Sequence, residues 1–445
     1  MKKAIIQRIH RKERGQVMVL FILFSTLLFL AALMAIDLGT YVYELQQLEV
    51  AVDAAALAGG LELPESGINA RNKALEYIAL NDPDVDPDDV STTFRCLVGD
   101  RDGNGLPDPV DLPGVCDPGI GALFSCDGGL CISTCAFLGS NRCNMLVVQA
   151  SKEVPLFFTN VLGLPPIYIT ASRNGACKGF CGNAPNTPLD VIIVIDRSGS
   201  MSSLDLADAK AGARAVLEIF DPQYQHVGLA VLGAGYGVNP CNDLHPSLGG
   251  EWLAVPLSSD YKNPDGSLNT SSELVSTINC LGNSSQGTDL GSPLNDDTYG
   301  APDALTELLN STRDVKKGII FMTDGAANEP DPLPGPDNPC NYANIQANLV
   351  KNQDIEIFVI GYGIQNEFCN DENGTYDYQY ATVLLAAMAT DSADDHGHCL
   401  TPLAINAENN DGDHFLCQAK GSDLNIVFVS AASALAPGIR LIGVP

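Results

Sequence analysis

The chain has 445 residues, 45% of them hydrophobic, and a formal net charge of −30. That length exceeds the roughly 250–300 residues over which one core grows, so more than one folded unit is expected. The apolar content excludes a disordered polyanion, and the acidity excludes nucleic acid as a partner, because phosphate binding needs a basic face.

The charge is unevenly placed. Residues 1–16 carry six of the 24 Lys and Arg against the single acid Glu13, a net of +5, which leaves −35 on the other 429 residues. VMVLFILFSTLLFLAALMAI follows at 17–36, twenty residues without a charge. As a helix this run matches the roughly 30 Å hydrocarbon core of a bilayer. Lys2, Lys3, Arg8, Arg11, Lys12 and Arg14 lie on one side of it, which predicts a cytoplasmic N-terminus. A cleaved signal peptide is the alternative. Its apolar region usually spans only about 7–15 residues, and no small-x-small site follows Ile36. The expectation is an uncleaved, single-pass anchor with the bulk of the chain outside the cytoplasm.

Residues 37–60 continue with Leu38, Tyr41, Val42, Leu45, Leu48 and Val52 at helical spacing, and Gly59 and Gly60 end the pattern. One helix over 17–58 would be about 63 Å long, half in lipid and half standing above it as a stalk to residue 60. Residues 61–186 read as a Cys-rich α+β middle region. It holds a helix at RNKALEYIAL, an acidic turn at NDPDVDPDD, strands at NMLVVQASKEV and IYITASRN, and a linker at 174–189 containing Cys177 and Cys181.

All fourteen cysteines lie beyond the anchor, at 96, 116, 126, 131, 135, 143, 177, 181, 241, 280, 340, 369, 399 and 417. This density suits an oxidising compartment. The four from 126 to 143 could hold zinc, but their spacing forms no pair of CxxC pairs, and disulfides are the better reading. Their pairing stays open.

From residue 187 the pattern alternates. LDVIIVID, HVGLAVLGAG, KGIIFMTD and IEIFVIGYG read as buried strands. SLDLADAKAGARAVLEIF, ELVSTINCL, PDALTELLN, NYANIQANLVKNQ and SDLNIVFVSAASALA read as helices, and GIRLIGV as a short final strand. Continuous apolar strands between helices predict an α/β unit, a largely parallel sheet covered by helices. Ligands bind such sheets beyond the carboxyl ends of the strands.

Chemistry-bearing residues fall at those ends. Asp196, Ser198 and Ser200 follow the first strand in DVIIVIDRSGSM, Thr288 lies in QGTDLGSP, and Asp324 ends a strand in FMTDGAAN. Carboxylates and hydroxyls without His or Cys are hard oxygen donors, suited to Mg²⁺ or Mn²⁺, with Ca²⁺ a further candidate. D-x-S-x-S, then Thr, then TDG on alternating elements resembles the von Willebrand factor type A (vWA) domain over roughly 187–445. The resemblance implies a Rossmann-like, doubly wound, mostly parallel sheet with helices on both faces. It further implies an adhesion-type metal site, with hydroxyls from Ser198, Ser200 and Thr288 and with Asp196 and Asp324 acting directly or through water. Lys210, in the helix after the motif, also fits.

The N-terminus is similar to the TadE/TadG family of the tight-adherence (Flp) pilus assembly system. Arg14-Gly15-Gln16, Asp37-Leu38-Gly39 and DAAALAGG at 53–60 carry the similarity, and VPLFFTNVLG at 154–163 adds to it. The order of anchor, middle region and vWA part resembles TadG. The two resemblances together imply a non-enzymatic protein of the bacterial inner membrane, its C-terminal bulk periplasmic or extracellular. Its metal recruits an acidic side chain of a pilus or envelope partner. The alternative is a structural envelope protein that uses the fold as a metal-independent spacer.

Weaker signals remain. In GDRDGNGLPDPVD, Asp100, Asp102, Asn104, Leu106, Asp108 and Asp111 occupy positions 1, 3, 5, 7, 9 and 12 of a calcium loop, with Gly105 at 6. A polar Gly/Pro turn is the competing reading. His396, His398 and Cys399 in DDHGHC fit a surface loop and a disulfide better than zinc. No G-x-S-x-G, P-loop or dinucleotide fingerprint supports a hydrolase or nucleotide enzyme. Trp252, the single tryptophan, reads as packing.

Overall fold

The computed structural model describes residues 2–443 apart from 65, 101–102, 138–140, 158–162, 164, 172–173, 183–186, 234–249, 285–286, 330–338, 365–379, 391–398, 400, 410–412, 419, 422–423 and 437. Helix α1 (Lys2–Gly60) is continuous over 59 residues. From Val17 it is long and apolar enough to cross a membrane, and its large side chains there lie open, Phe21 at 70% and Phe29 at 71% exposure.

Past Asp37 the same helix changes role. Leu48, Ala51, Val52, Ala55 and Ala56 are buried together with Ala70, Ala74 and Ile78 of α2 (Gly67–Asn81). The expected stalk is therefore a core helix. Its alanines do more than favour helix, because small side chains let a second helix lie close. A Cβ on Gly59 would stand 2.5 Å from the Ala70 carbonyl oxygen, so glycine is needed at this crossing.

These helices cover one face of an antiparallel sheet built from β1 (Val90–Gly99), β2 (Ser125–Asp127), β3 (Leu130–Cys135), β4 (Met145–Val154), β5 (Ile167–Ala171) and β6 (Asn174–Lys178). Three contacts set the direction of α1 along β4. Gly59 lies beside Leu146, the Lys152 ammonium is 2.6 Å from Glu44, and the Phe157 N–H donates to Asp37 Oδ1 at 2.9 Å. The helix thus runs antiparallel to β4, and the end of β4 sits where the apolar run ends.

The second sheet holds β7 (Leu189–Asp196), α3 (Ser203–Ile219), β8 (Gln225–Leu232), β9 (Leu253–Ser258), α4 (Glu273–Cys280), α5 (Ala304–Asn310), β10 (Lys316–Thr323), α6 (Pro339–Lys351), β11 (Glu356–Tyr362), α7 (Ala381–Met388), α8 (Pro402–Glu408), β12 (Phe415–Gln418) and α9 (Leu424–Leu435). Strand order is β12-β11-β10-β7-β8-β9, parallel except for β9 against β8. Every residue of β7 is buried. Val191, Ile193 and Ile195 face α3, α4 and α9, whereas Ile192 and Val194 face α5, α6 and α7. Helices on both faces explain why this strand reads as one apolar run rather than an alternation.

The final strand, β13 (Ile439–Gly443), leaves this unit and pairs with β6. The first sheet is therefore ordered β13-β6-β4-β1-β3-β2, with β5 also on β4. A division at residues 186 and 187 does not follow the sheets, because the last strand of the chain belongs to the first of them. The segment expected as a linker at 174–189 likewise supplies β6. Pairing explains both, since β13 covers the edge that β6 would leave open.

Disulfides join Cys96 to Cys116, Cys126 to Cys131, Cys135 to Cys143, Cys177 to Cys181 and Cys399 to Cys417. Cys280 and Cys340 are also disulfide-bonded. The cluster from 126 to 143 is spent on disulfides.

Candidate metal centre

The site lies where β7 and β10 end side by side. Their parallel register pairs Met322 with Ile195, so Thr323 and Asp324 arrive next to Asp196. The Asp196 carboxylate turns the chain after β7: its Oδ1 accepts the Ser198 N–H at 2.8 Å. Its Oδ2 accepts the Thr323 hydroxyl at 2.6 Å and the Asp324 N–H at 3.4 Å. A capping box then starts α3, with Ser202 and Asp205 bonding each other's backbone N–H. Only residues 197–202 lie between strand and helix, which crowds both motif serines into one turn.

The hydroxyls form a chain. Thr288 Oγ1 donates to Ser198 Oγ at 3.1 Å, the Ser198 and Ser200 hydroxyls are 3.1 Å apart, and Ser200 Oγ donates to Asp324 Oδ1 at 2.6 Å. Thr288 is held from behind by Asn328, whose side-chain oxygen accepts the Thr288 N–H at 2.7 Å. Asn283 fixes the motif turn, donating to the Ser198 carbonyl at 2.7 Å and to that of Met201. Asp196, Ser198, Thr288 and Asp324 are buried, whereas Ser200 is exposed and marks the mouth. All five residues singled out in the sequence meet here.

Electrostatics set the character of the site. Burial first, and the negative charge of Asp324 second, raise the pKa of Asp196, while its hydrogen bonds from Ser198 and Thr323 oppose the shift. Among the described residues the partners of Asp196 are hydroxyl and amide groups, not a cation. The compensating charge comes from Lys420, in the loop after β12, whose Nζ is 2.6 Å from Asp324 Oδ2 and 3.4 Å from Asp205 Oδ2. Burial works against the Lys420 charge, but the hydrogen bond and charge of Asp324, with the charge of Asp205, outweigh it and raise its pKa. The sequence carries Thr323 only as the first residue of the TDG run, and does not single out Lys420. Both follow from strand order, which brings the ends of β10, β11 and β12 toward β7.

The donor set fits a hard divalent cation. It has two carboxylates and three hydroxyls, each hydroxyl oxygen has lone pairs left to offer, and neither His nor Cys is among them.

The other singled-out residues lie elsewhere. Lys210 donates to the carbonyls of Asn279 and Leu281, so it ties α3 to α4 and does not enter the site. Trp252 is fully buried and donates from Nε1 to Asp296 Oδ2 at 3.0 Å, as packing requires. His396 and His398 lie outside the described residues, and Cys399 is in a disulfide.

In the 100–111 loop, Asp102 lies outside the described residues. Gly105 has φ +78° and donates to Asp100 Oδ2 at 3.0 Å, which folds position 6 back onto position 1. Asp111 Oδ2 accepts the Gly99 N–H at 2.8 Å, and the Leu106 N–H bonds the Asn104 side chain at 2.7 Å. Asp108 donates its N–H to the Gly99 carbonyl at 2.8 Å. An Asp100 carboxylate oxygen lies within 4.8 Å of the sulfurs of Cys126 and Cys131, but these are joined to each other and offer no thiolate.

Residues 15–62 match a family model described as putative Flp pilus-assembly TadE/G-like. The match covers the apolar span and the buried half of α1. No curated protein matches the chain. Two crystal structures of the pilus adhesin SpaC from Lactobacillus rhamnosus GG, one in the open conformation, align with TM-scores of 0.38 and 0.37 and identities of 16% and 15%. The alignments cover 66% of this chain and 34% and 35% of the adhesin chains, so the chain spans about a third of their length.

Proposed function

We propose that this is a membrane-anchored, exported, non-enzymatic protein whose second sheet is a vWA-type unit. It binds a divalent cation, Mg²⁺ or Mn²⁺ with Ca²⁺ a further candidate, and uses it to engage a protein partner in Flp/Tad pilus assembly or surface adhesion. The observation that carries the reading is the hydroxyl chain from Thr288 through Ser198 and Ser200 to Asp324, beside the buried Asp196. The family match at 15–62 supports the pilus setting. A bound cation supplies a positive centre that an acidic side chain of a partner can complete.

The residues of the chain divide the work. Asp196 and Asp324 supply negative charge from the two strand ends. Ser198, Ser200 and Thr288 present neutral oxygens, which keeps the net charge low enough for a further carboxylate to be attracted. Asn283 and Asn328 hold the loops in register. The anchor would place this site periplasmic or extracellular. The 100–111 loop is read as a separate Ca²⁺ site on the same oxygen-donor logic.

One observation favours a metal-independent spacer instead: the Lys420 ammonium already lies 2.6 Å from Asp324 and supplies a counter-charge. Isothermal titration of Mg²⁺ and Mn²⁺ into the detergent-solubilised chain separates the two readings. Saturable binding that disappears in Asp196→Ala is expected. Absence of binding by the unmutated chain would establish the spacer.

A further inference from the structure

We propose that Lys152 and Asp82 join in an intramolecular amide bond, with Glu44 as the catalytic carboxylate and one water released. The bond lies within the first sheet and its covering helices, and it depends on neither the anchor nor the cation reading.

Three elements bring the groups together. Asp82 caps the C-terminus of α2, its N–H donating to the Ile78 carbonyl at 2.8 Å. Lys152 belongs to β4 and Glu44 to α1. The Lys152 Nζ is 2.6 Å from Asp82 Oδ2 and 2.6 Å from Glu44 Oε2. The side chains of Lys152 and Asp82 are 2% and 0% exposed, against 22% for Glu44. Nucleophile and acyl group are thus sealed together, and only the third group meets water. The surroundings are apolar. Ala150 and Val154 flank Lys152 on the same face of β4, and Ile169 is its cross-strand partner. Ile78 lies one helical turn before Asp82, and Leu48 one turn after Glu44. All five are buried in one hydrophobic cluster.

Asp82 Oδ1 is buried without a hydrogen-bond partner. A buried carboxylate is stabilised when both oxygens accept hydrogen bonds, so the ion pair is incompletely served here. An amide carries no charge and has a single carbonyl oxygen, and it removes both charges from the apolar cluster.

The pair holds every atom that the bond needs. A proton passes from the Lys152 ammonium to Asp82 Oδ2, giving a neutral amine and a neutral acid. The hydrogen-bonded ion pair makes this step uphill, and the apolar surroundings lower its cost. The Nζ lone pair then attacks Asp82 Cγ, and a C–N bond forms. Glu44 takes a proton from Nζ and delivers it to the Oδ2 hydroxyl, which leaves as water when the Cγ–Oδ2 bond breaks. Glu44 ends as the carboxylate it began as. Ammonium and carboxylate have become amide and water, with no oxidant, reductant or cofactor. The reaction occurs once per chain and ties the end of α2 to β4 across a sequence separation of 70.

Mass spectrometry tests this on the full chain, purified in detergent and with its disulfides reduced. The unmutated chain is expected to fall short of its sequence mass by one water. Trypsin should leave Lys152 uncut and release a branched peptide that joins residues 74–95 to residues 143–173. Lys152→Arg and Asp82→Ala should each show the full sequence mass of the variant. Glu44→Gln should leave most of the chain unlinked, because losing a general base slows a step by about 10²–10⁴-fold. The full sequence mass in the unmutated chain, with cleavage after Lys152, overturns the amide bond even if a variant fails to fold. Complete linkage in Glu44→Gln overturns the role of Glu44.

Discussion

Two lysines each face two carboxylates, one in each sheet, and they differ in closure. Lys152 is sealed, its side chain 2% exposed, at 2.6 Å from both Glu44 and Asp82. Burial works against its charge, yet the bonds to Asp82 and Glu44 outweigh it and raise its pKa. Lys420 is open, its side chain 42% exposed, and it reaches Asp324 at 2.6 Å but Asp205 only at 3.4 Å. A sealed pair cannot exchange its cation without unfolding something. An open pair at the mouth of a strand-end cleft can release an ammonium and accept an ion. The same three charges act as a pin in one place and, on the proposed cation-binding reading, as a replaceable counter-ion in the other.

The sharpest way to break this comparison is to remove the pin. Lys152→Ala leaves Asp82 buried, with Oδ1 already lacking a hydrogen-bond partner, and should cost about 3–5 kcal/mol in denaturant unfolding. A loss below about 1 kcal/mol would mean that the sealed pair behaves like a surface pair. The open lysine should respond in the opposite sense. Lys420→Met is expected to tighten Mg²⁺ or Mn²⁺ binding about tenfold, or ~1.4 kcal/mol, in the calorimeter. Its unfolding free energy should move by no more than about 1 kcal/mol, because the side chain is partly in water. Weaker binding in that variant would make Lys420 a support of the site, not a competitor. The smallest effect is predicted for Lys210→Ala. Its ammonium serves carbonyls of the next helix, so cation affinity should stay within about twofold.

Much of the site was legible because its residues follow immediately on apolar runs. LDVIIVID and KGIIFMTD become adjacent parallel strands, and residues placed just past their ends must meet. Lys420 was not legible, since β12 is a four-residue strand at the sheet edge and nothing local announces that its loop turns toward Asp324. Helix α1 was visible to within a few residues at its Gly60 end, but its second half was misread. Alanine raises helix propensity in water and also permits close packing, and only the partner helix shows which use prevails. Strands β1 and β9 escaped notice for a different reason. VSTTFRCLVG opens on exposed and half-buried polar positions, and LAVPLS is a six-residue edge strand with only two buried positions, so neither reads as a continuous apolar run.

The pairing of β6 with β13 has a mechanical consequence. The chain enters the second sheet just after Lys178 and returns at Ile439, and these two residues are partners in the antiparallel ladder. The second-sheet unit is therefore joined to the first sheet by two chain connections that meet it at one point, not by a single thread. Tension applied by a partner at Asp196 and Asp324 would divide between β6 and β13 and load them in the same direction. β6 is bonded onward to β4, and β6 and β13 also pack against α1 themselves, with Lys178 Nζ donating to the Leu61 carbonyl at 2.9 Å, so the pull would reach α1 both directly and through the three-residue β6–β4 ladder.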